Sequence, residues 1–173
     1  VEELRAAKYW DVLRSYTGID LIEQRARLET GGAVRLADGT KVLAPKVILT
    51  TGASPWAAPI PGLAESHYLD SARAMALDRL PASMIVIGAS AVGLELAQMF
   101  ARFGVEVTVL EALPTVVPME DPSVGMALAQ YLVGEGLRIE TNVRIERVET
   151  TANRHAVHYN RDNVTGTVVA DQL

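Results

Sequence analysis

A chain of 173 residues with 49% apolar residues and a net charge of -5 can build a globular core, and it has no basic block suited to nucleic acid. No apolar run approaches the ~20 residues needed to span a bilayer, and no stretch has the form of a secretory leader, so a cytoplasmic protein without membrane partners is expected. The absence of cysteine excludes disulfides and thiol chemistry within this sequence.

Residues 1–16 place Leu4, Tyr9, Val12 and Leu13 at helical spacing among charged residues, which predicts the end of a longer amphipathic helix packed by its apolar face. Residues 19–50 change character. Ile19–Leu28, Ala33–Leu36 and Lys41–Leu43 are short strand candidates separated by Gly31-Gly32 and Asp38-Gly39, and Asp-Gly between apolar runs signals a hairpin. A small antiparallel meander is therefore expected, followed by a buried strand over Val47–Thr50. Thr51-Gly52 follows that strand directly, where a glycine allows close backbone approach to a ligand or makes an ordinary turn.

Four of the eight prolines (Pro55, Pro59, Pro61 and Pro81) fall in residues 53–82, the best domain boundary in the chain. A short helix over Ser71–Leu77, capped by Asp70 or Ser71, is expected within it.

The most informative stretch is Met84–Glu111. An apolar β-branched run enters the turn Gly88-Ala89-Ser90-Ala91-Val92-Gly93, a helical pattern follows, and a second apolar run ends on Glu111. This is a βαβ unit with a dinucleotide fingerprint. A pyrophosphate needs backbone N–H donors, and a helix N-terminus supplies them with the positive end of its dipole. Gly88 makes the tight turn, position 90 must be small (here Ser90 rather than Gly), and Gly93 lets the helix approach the first strand. Glu111 lies 23 residues after Gly88, close to the spacing expected of a ribose-binding acid. A carboxylate there accepts ribose hydroxyls and repels a 2′-phosphate, and Ala112–Glu120 contains no arginine, so NAD(H) is preferred over NADP(H). Glu95 is expected on the first helical turn, complementing the dipole or reaching toward the nicotinamide end.

Beyond the fingerprint, Asp121-Pro122 predicts a capped helix start, with Val124, Leu128, Tyr131 and Leu132 as its periodic face and Gly134-Glu135-Gly136 as its stop. Leu137–Thr141 reads as the next strand, and 143–149, 155–159 and 164–170 as a β-meander turning at Asp162-Asn163. His155 and His158 fall on opposite faces of one strand, so no shared metal site is expected. The sequence starts on Val1 and stops at Asp171-Gln172-Leu173, where an apolar strand could begin, and both ends are expected to continue in a longer protein.

Taken together, Ala7-Lys8-Tyr9, Thr51-Gly52-Ala53-Ser54-Pro55, Pro59-Ile60-Pro61-Gly62-Leu63, the Gly88–Gly93 turn, Glu95–Gln98 with Phe100-Ala101-Arg102, and Glu120-Asp121-Pro122 resemble the flavin-dependent pyridine nucleotide–disulfide oxidoreductases. Within them the pattern is most similar to the mercuric reductases, and the dihydrolipoamide dehydrogenases share most of it. The resemblance implies an α/β chain in three parts. Residues 1–52 would be the C-terminal part of an FAD-binding domain and 53–82 a linker. Residues 83–173 would be a Rossmann-like NAD(P)-binding domain with a parallel sheet and a β-meander, incomplete at its C-terminal end. It also implies FAD as the second cofactor, with Ala26 and Thr51-Gly52 near it, and Val143 near the nicotinamide nucleotide's adenine. Thr50 replaces the family's alanine before Thr51, and Gln24 stands where a glycine is common. Glu111 departs from the NADPH preference associated with mercuric reductases. The family's redox cysteine pair and its dimer-forming domain are absent from this sequence, so no catalytic residue is assigned and homodimerisation is expected of the full-length enzyme only. Two other readings stay open: an isolated non-catalytic nucleotide-binding module, and a flavin-free NAD dehydrogenase domain, which the meander at 19–50 disfavours.

Overall fold

The computed structural model describes residues 6–152 and 154–173. The chain divides into two compact units, with the division between Ala53 and Ser54.

The first unit begins with a π-helical turn, Ala6–Trp10, that runs into a short helix, α1 (Asp11–Ser15). Of the expected packing face, Leu4 lies outside the described residues, and Tyr9, Val12 and Leu13 are exposed, as is Trp10. Three short strands follow, β1 (Ala26–Leu28), β2 (Val34–Leu36) and β3 (Lys41–Val42), paired antiparallel in that order. Ala26 lies opposite Leu36, and Val34 opposite Val42. The turns are the expected ones. Gly31 and Gly32 both take positive φ, and at the second turn Asp38 Oδ1 accepts the Thr40 N–H at 2.8 Å. Residues 19–25 are not strand. Nor are Val47–Thr50, where the sequence predicts a buried strand: Ile48 is 86% and Leu49 64% exposed. A strand exists only against a partner ladder, and among the described residues none pairs with this stretch.

The second unit has three layers. Its centre is a parallel sheet of β4 (Ser83–Ile87), β5 (Glu106–Leu110) and β6 (Arg138–Glu140), in sequence order. The chain end returns beside the free edge of β4: the Ile85 N–H donates to Gln172 O at 2.9 Å and the Gln172 N–H to Ser83 O at 3.2 Å. The strand order thus reverses at β4, as in a doubly wound fold.

On one face lie α2 (Ser71–Met75), α3 (Ala91–Arg102) and α4 (Pro122–Gly134). Met84, Val107 and Val109 of the sheet pack there with Leu94, Ala97 and Phe100 of α3 and Leu132 of α4. Asp70 caps α2 by accepting the Arg73 N–H at 2.8 Å, and Asp121 caps α4 by accepting the Ser123 N–H at 2.8 Å, with Pro122 at the first turn. The expected face of α4 is half right, because Leu132 is buried while Val124 and Tyr131 are exposed.

The other face is covered by the antiparallel meander β7 (Arg144–Thr151), β8 (Arg154–Arg161) and β9 (Val164–Ala170). Ile85 and Leu110, which alternate with the helix-facing residues of their strands, pack there with Val143, Val148, Val157 and Tyr159. Asp162 and Asn163 both take positive φ, as a two-residue hairpin turn of type I′ requires. Residues 60–66 lie against this sheet. Leu63 is buried, and the Val148 N–H donates to Pro61 O at 2.8 Å.

Candidate nucleotide-binding site

Ligands of open α/β sheets bind beyond the C-terminal ends of the strands, where the strand order reverses. Here that place is the end of β4, and the Gly88–Gly93 turn occupies it. Gly88 has φ 98°, a left-handed backbone that disfavours any side chain. A Cβ added there would meet nothing within 4 Å, so space for a ligand stays open over the turn. Gly93 is required for a different reason. Its Cβ would overlap the Gly88 carbonyl oxygen and lie 3.4 Å from the carbonyl carbon. Only glycine lets α3 start this close to β4.

Ser90 is the N-cap residue, extended at φ -72° and ψ 171°, and its hydroxyl makes no cap hydrogen bond. The first N–H groups of a helix have no intrahelical partner, so Ser90, Ala91 and Val92 present backbone donors at an exposed surface. No acidic residue occupies the first turn of α3, so no side chain of the helix itself complements its dipole there. Glu95 lies in the second turn, one residue beyond the predicted position, because the helix begins at Ala91. It is exposed and stands in a helical stripe with Gln98, Met99 and Arg102. Its contribution to the dipole is correspondingly reduced.

Glu111 follows β5 immediately and is only 7% exposed. Both carboxylate oxygens already hold backbone donors: the Ala89 N–H reaches Oε2 at 2.6 Å and the Leu113 N–H reaches Oε1 at 2.8 Å. A carboxylate has about four acceptor positions, so about two remain unused. The Ala89 N–H is thereby committed to Glu111, which leaves Ser90, Ala91 and Val92 as the exposed backbone donors at the start of α3. The carbonyl of Ala89 is committed as well, accepting the Val117 N–H at 2.8 Å. No sequence signal pointed to Val117. It has φ 41°, rare for a β-branched residue.

Val143 is fully buried in the core beneath the meander, and its N–H donates to Glu111 O at 3.0 Å. Any adenine contact must therefore use its carbonyl and not its side chain. In the first unit, Gly52 has φ 73° in irregular, exposed backbone, and Ala26 is an exposed residue of β1.

His155 and His158 face opposite sides of β8, as the spacing predicts. His155 is buried, with Nδ1 3.2 Å from the Thr150 hydroxyl. His158 Nδ1 lies 3.0 Å from the Thr167 hydroxyl. Among the described residues no group of three His, Asp or Glu side chains could hold a metal ion.

The sequence profile of the pyridine nucleotide-disulphide oxidoreductases matches residues 4–173, and the chain belongs to that family. Mercuric reductase of Shewanella putrefaciens is 37% identical over 164 residues, covering 92% of this chain and 29% of its own length. Mercuric reductase of Serratia marcescens is 40% identical over 152 residues, covering 86% and 33%. Among solved structures, the HOCl-induced flavoprotein disulfide reductase RclA from Escherichia coli superimposes with a TM-score of 0.83 at 28% identity, over 99% of this chain and 39% of RclA. LpdA from Mycobacterium tuberculosis does so with 0.75 at 26% identity, over 99% and 39%. The chain thus spans about a third of the length of the curated relatives it matches.

Proposed function

We propose that this chain is the nicotinamide-nucleotide-binding portion of a flavin-dependent reductase of the mercuric reductase kind, with NAD(H) preferred over NADP(H). The observation that carries this reading is the convergence, at the strand-order reversal, of an open positive-φ turn at Gly88, the exposed N-terminus of α3, and the Glu111 carboxylate. In the full-length protein, residues 1–52 would contribute backbone near FAD through Ala26, Thr51 and Gly52. FAD, when bound, would supply the electron relay between nicotinamide and the final acceptor. The acceptor proposed is Hg(II), after the mercuric reductases among its relatives. The likeness to RclA, a flavoprotein disulfide reductase, supports a disulfide acceptor, and a dihydrolipoamide dehydrogenase-like reductase, which shares most of the sequence pattern, is the second reading.

Equilibrium titration of the chain with NADH and NADPH tests the proposed site. Saturable binding with NADH tighter is expected. Tighter NADPH would overturn the cofactor preference, and no binding of either would overturn the site. For the full-length protein, NADH oxidation driven by Hg(II) supports the first acceptor, and oxidation driven only by a disulfide such as lipoamide supports the second.

A further inference from the structure

The backbone of Ala89 is held at both its N–H and its carbonyl by one stretch of chain. Its N–H donates to Glu111 Oε2 at 2.6 Å, and its carbonyl accepts the Val117 N–H at 2.8 Å. Ala89 itself has no solvent exposure. The second oxygen of Glu111 is tied to the Leu113 N–H at 2.8 Å, so the carboxylate also holds its own loop. The far end of that loop is braced by α4. A Cβ on Gly125 would lie 2.6 Å from Val116 O and 3.3 Å from Thr115 Cβ, so the helix has no spare room behind the loop. Val117 sustains φ 41° at the point of the second grip. Such strain persists only where the surroundings over-determine it.

We propose that Glu111–Val117 is a clasp that sets the shape of the pyrophosphate turn before any cofactor arrives, with Glu111 as its positioning residue. This rests on the reading of the Gly88–Gly93 turn as a pyrophosphate cradle. A residue acting only on the ribose discriminates between cofactors. A clasp residue aims the Ser90, Ala91 and Val92 donors that both cofactors use. The two roles differ in sign for NADPH. Neutral, isosteric glutamine removes the charge that repels a 2′-phosphate, so a ribose-only Glu111 predicts that Glu111→Gln binds NADPH more tightly. A clasp predicts weaker NADPH, because the amide NH₂ cannot accept from a backbone N–H and one of the two grips becomes a donor facing a donor.

The experiment uses the whole 173-residue chain. Amide hydrogen exchange at Ala89 and Leu113 is followed without cofactor in wild type and in Glu111→Gln, and NADH and NADPH are titrated against both. Protected amides in wild type, exchange accelerated by about tenfold or more at Ala89 or Leu113 in Glu111→Gln, and weaker binding of both cofactors are the expected results. A gain in NADPH affinity overturns the clasp, as does unchanged exchange at both Ala89 and Leu113 in the variant. If Glu111→Gln does not fold, the wild-type chain decides alone, because freely exchanging Ala89 and Leu113 amides overturn the proposal and protected ones support it. If wild type binds neither cofactor, the cradle reading fails, and the exchange data still judge the clasp separately.

Discussion

Replacing Gly93 with alanine isolates the close approach on which the site depends. The added methyl group would overlap the Gly88 carbonyl oxygen, which is backbone and cannot rotate away. Either α3 withdraws from β4 or the Gly88 turn deforms. Overpacking of this kind costs about 1–3 kcal/mol. Alanine also gains helix propensity over glycine, up to about 1 kcal/mol, so the raw change in stability understates the clash. Gly134→Ala supplies the reference. Gly134 ends α4, is exposed, and has nothing within 4 Å of a built Cβ, so it shows a comparable propensity gain without the clash. The two variants should differ by about 1–3 kcal/mol, or roughly 2–4 °C in Tm for each kcal/mol at this chain length. NADH affinity should separate them further. Redirecting even one charge-assisted N–H bond to pyrophosphate costs about 1.5 kcal/mol or more, roughly tenfold in Kd. Thermal denaturation and NADH titration of both variants check this. Gly93→Ala matching Gly134→Ala in both measurements would refute the close-approach argument.

Val143→Ala removes a fully buried side chain from the core beneath the meander and should destabilise by about 1–3 kcal/mol. Its NADH affinity should stay within about threefold of wild type in a folded sample, because the side chain makes no part of the cradle; a larger loss would give it a ligand role. Burial, and secondarily the charge of His67, hold His155 below the ordinary histidine range. The unfolded chain therefore binds the extra proton more readily, so stability is full above pH about 6.5 and falls as pH drops toward the lowered folded value. His155→Gln should flatten that slope in a series of melting curves against pH, and an unaltered slope would assign it to other groups. Limited proteolysis should cut first in 17–25 and 43–53, which are exposed and lie outside helix and strand. A resistant product carrying 54–173 is expected, and early cleavage within that stretch would contradict the packing described for the second unit.

Much of the architecture was legible because its signals are local. The Gly31-Gly32, Asp38-Gly39 and Asp162-Asn163 turns each carry the positive-φ residues their geometry needs. The Asp121-Pro122 start is a cap whose donor is two residues away. The Gly88, Gly93 and Glu111 pattern could be placed because strand, turn and helix follow in the expected order. What escaped depends on contacts between distant segments. The grip of Val117 on Ala89 joins residues across a loop, and no propensity marks a valine for positive φ. The family resemblance placed Val143 near the adenine, and nothing marked it as a core residue, since one valine at a strand entrance looks the same in either role. Glu95 was misplaced by one residue because helix boundaries depend on the cap, and Ser90 caps with its backbone alone.

Ile85-Val86-Ile87 and Val47-Ile48-Leu49 are alike in sequence and opposite in burial. Both are continuous apolar runs of the kind that suits a parallel strand covered on both faces. The first has β5 on one edge and the returning chain on the other, helices above it and the meander below, and Ile85 is almost fully buried. The second has no ladder among the described residues, and its side chains stand in solvent. An apolar run thus records the cover a strand needs, not whether that cover lies within the same stretch of sequence. Leaving Ile48 and Leu49 in water forgoes about 1.5–3 kcal/mol for each side chain relative to burial. In a chain spanning about a third of its relatives' length, that unmet demand is the physical ground for proposing that residues 1–52 complete their sheet within a larger FAD-binding domain.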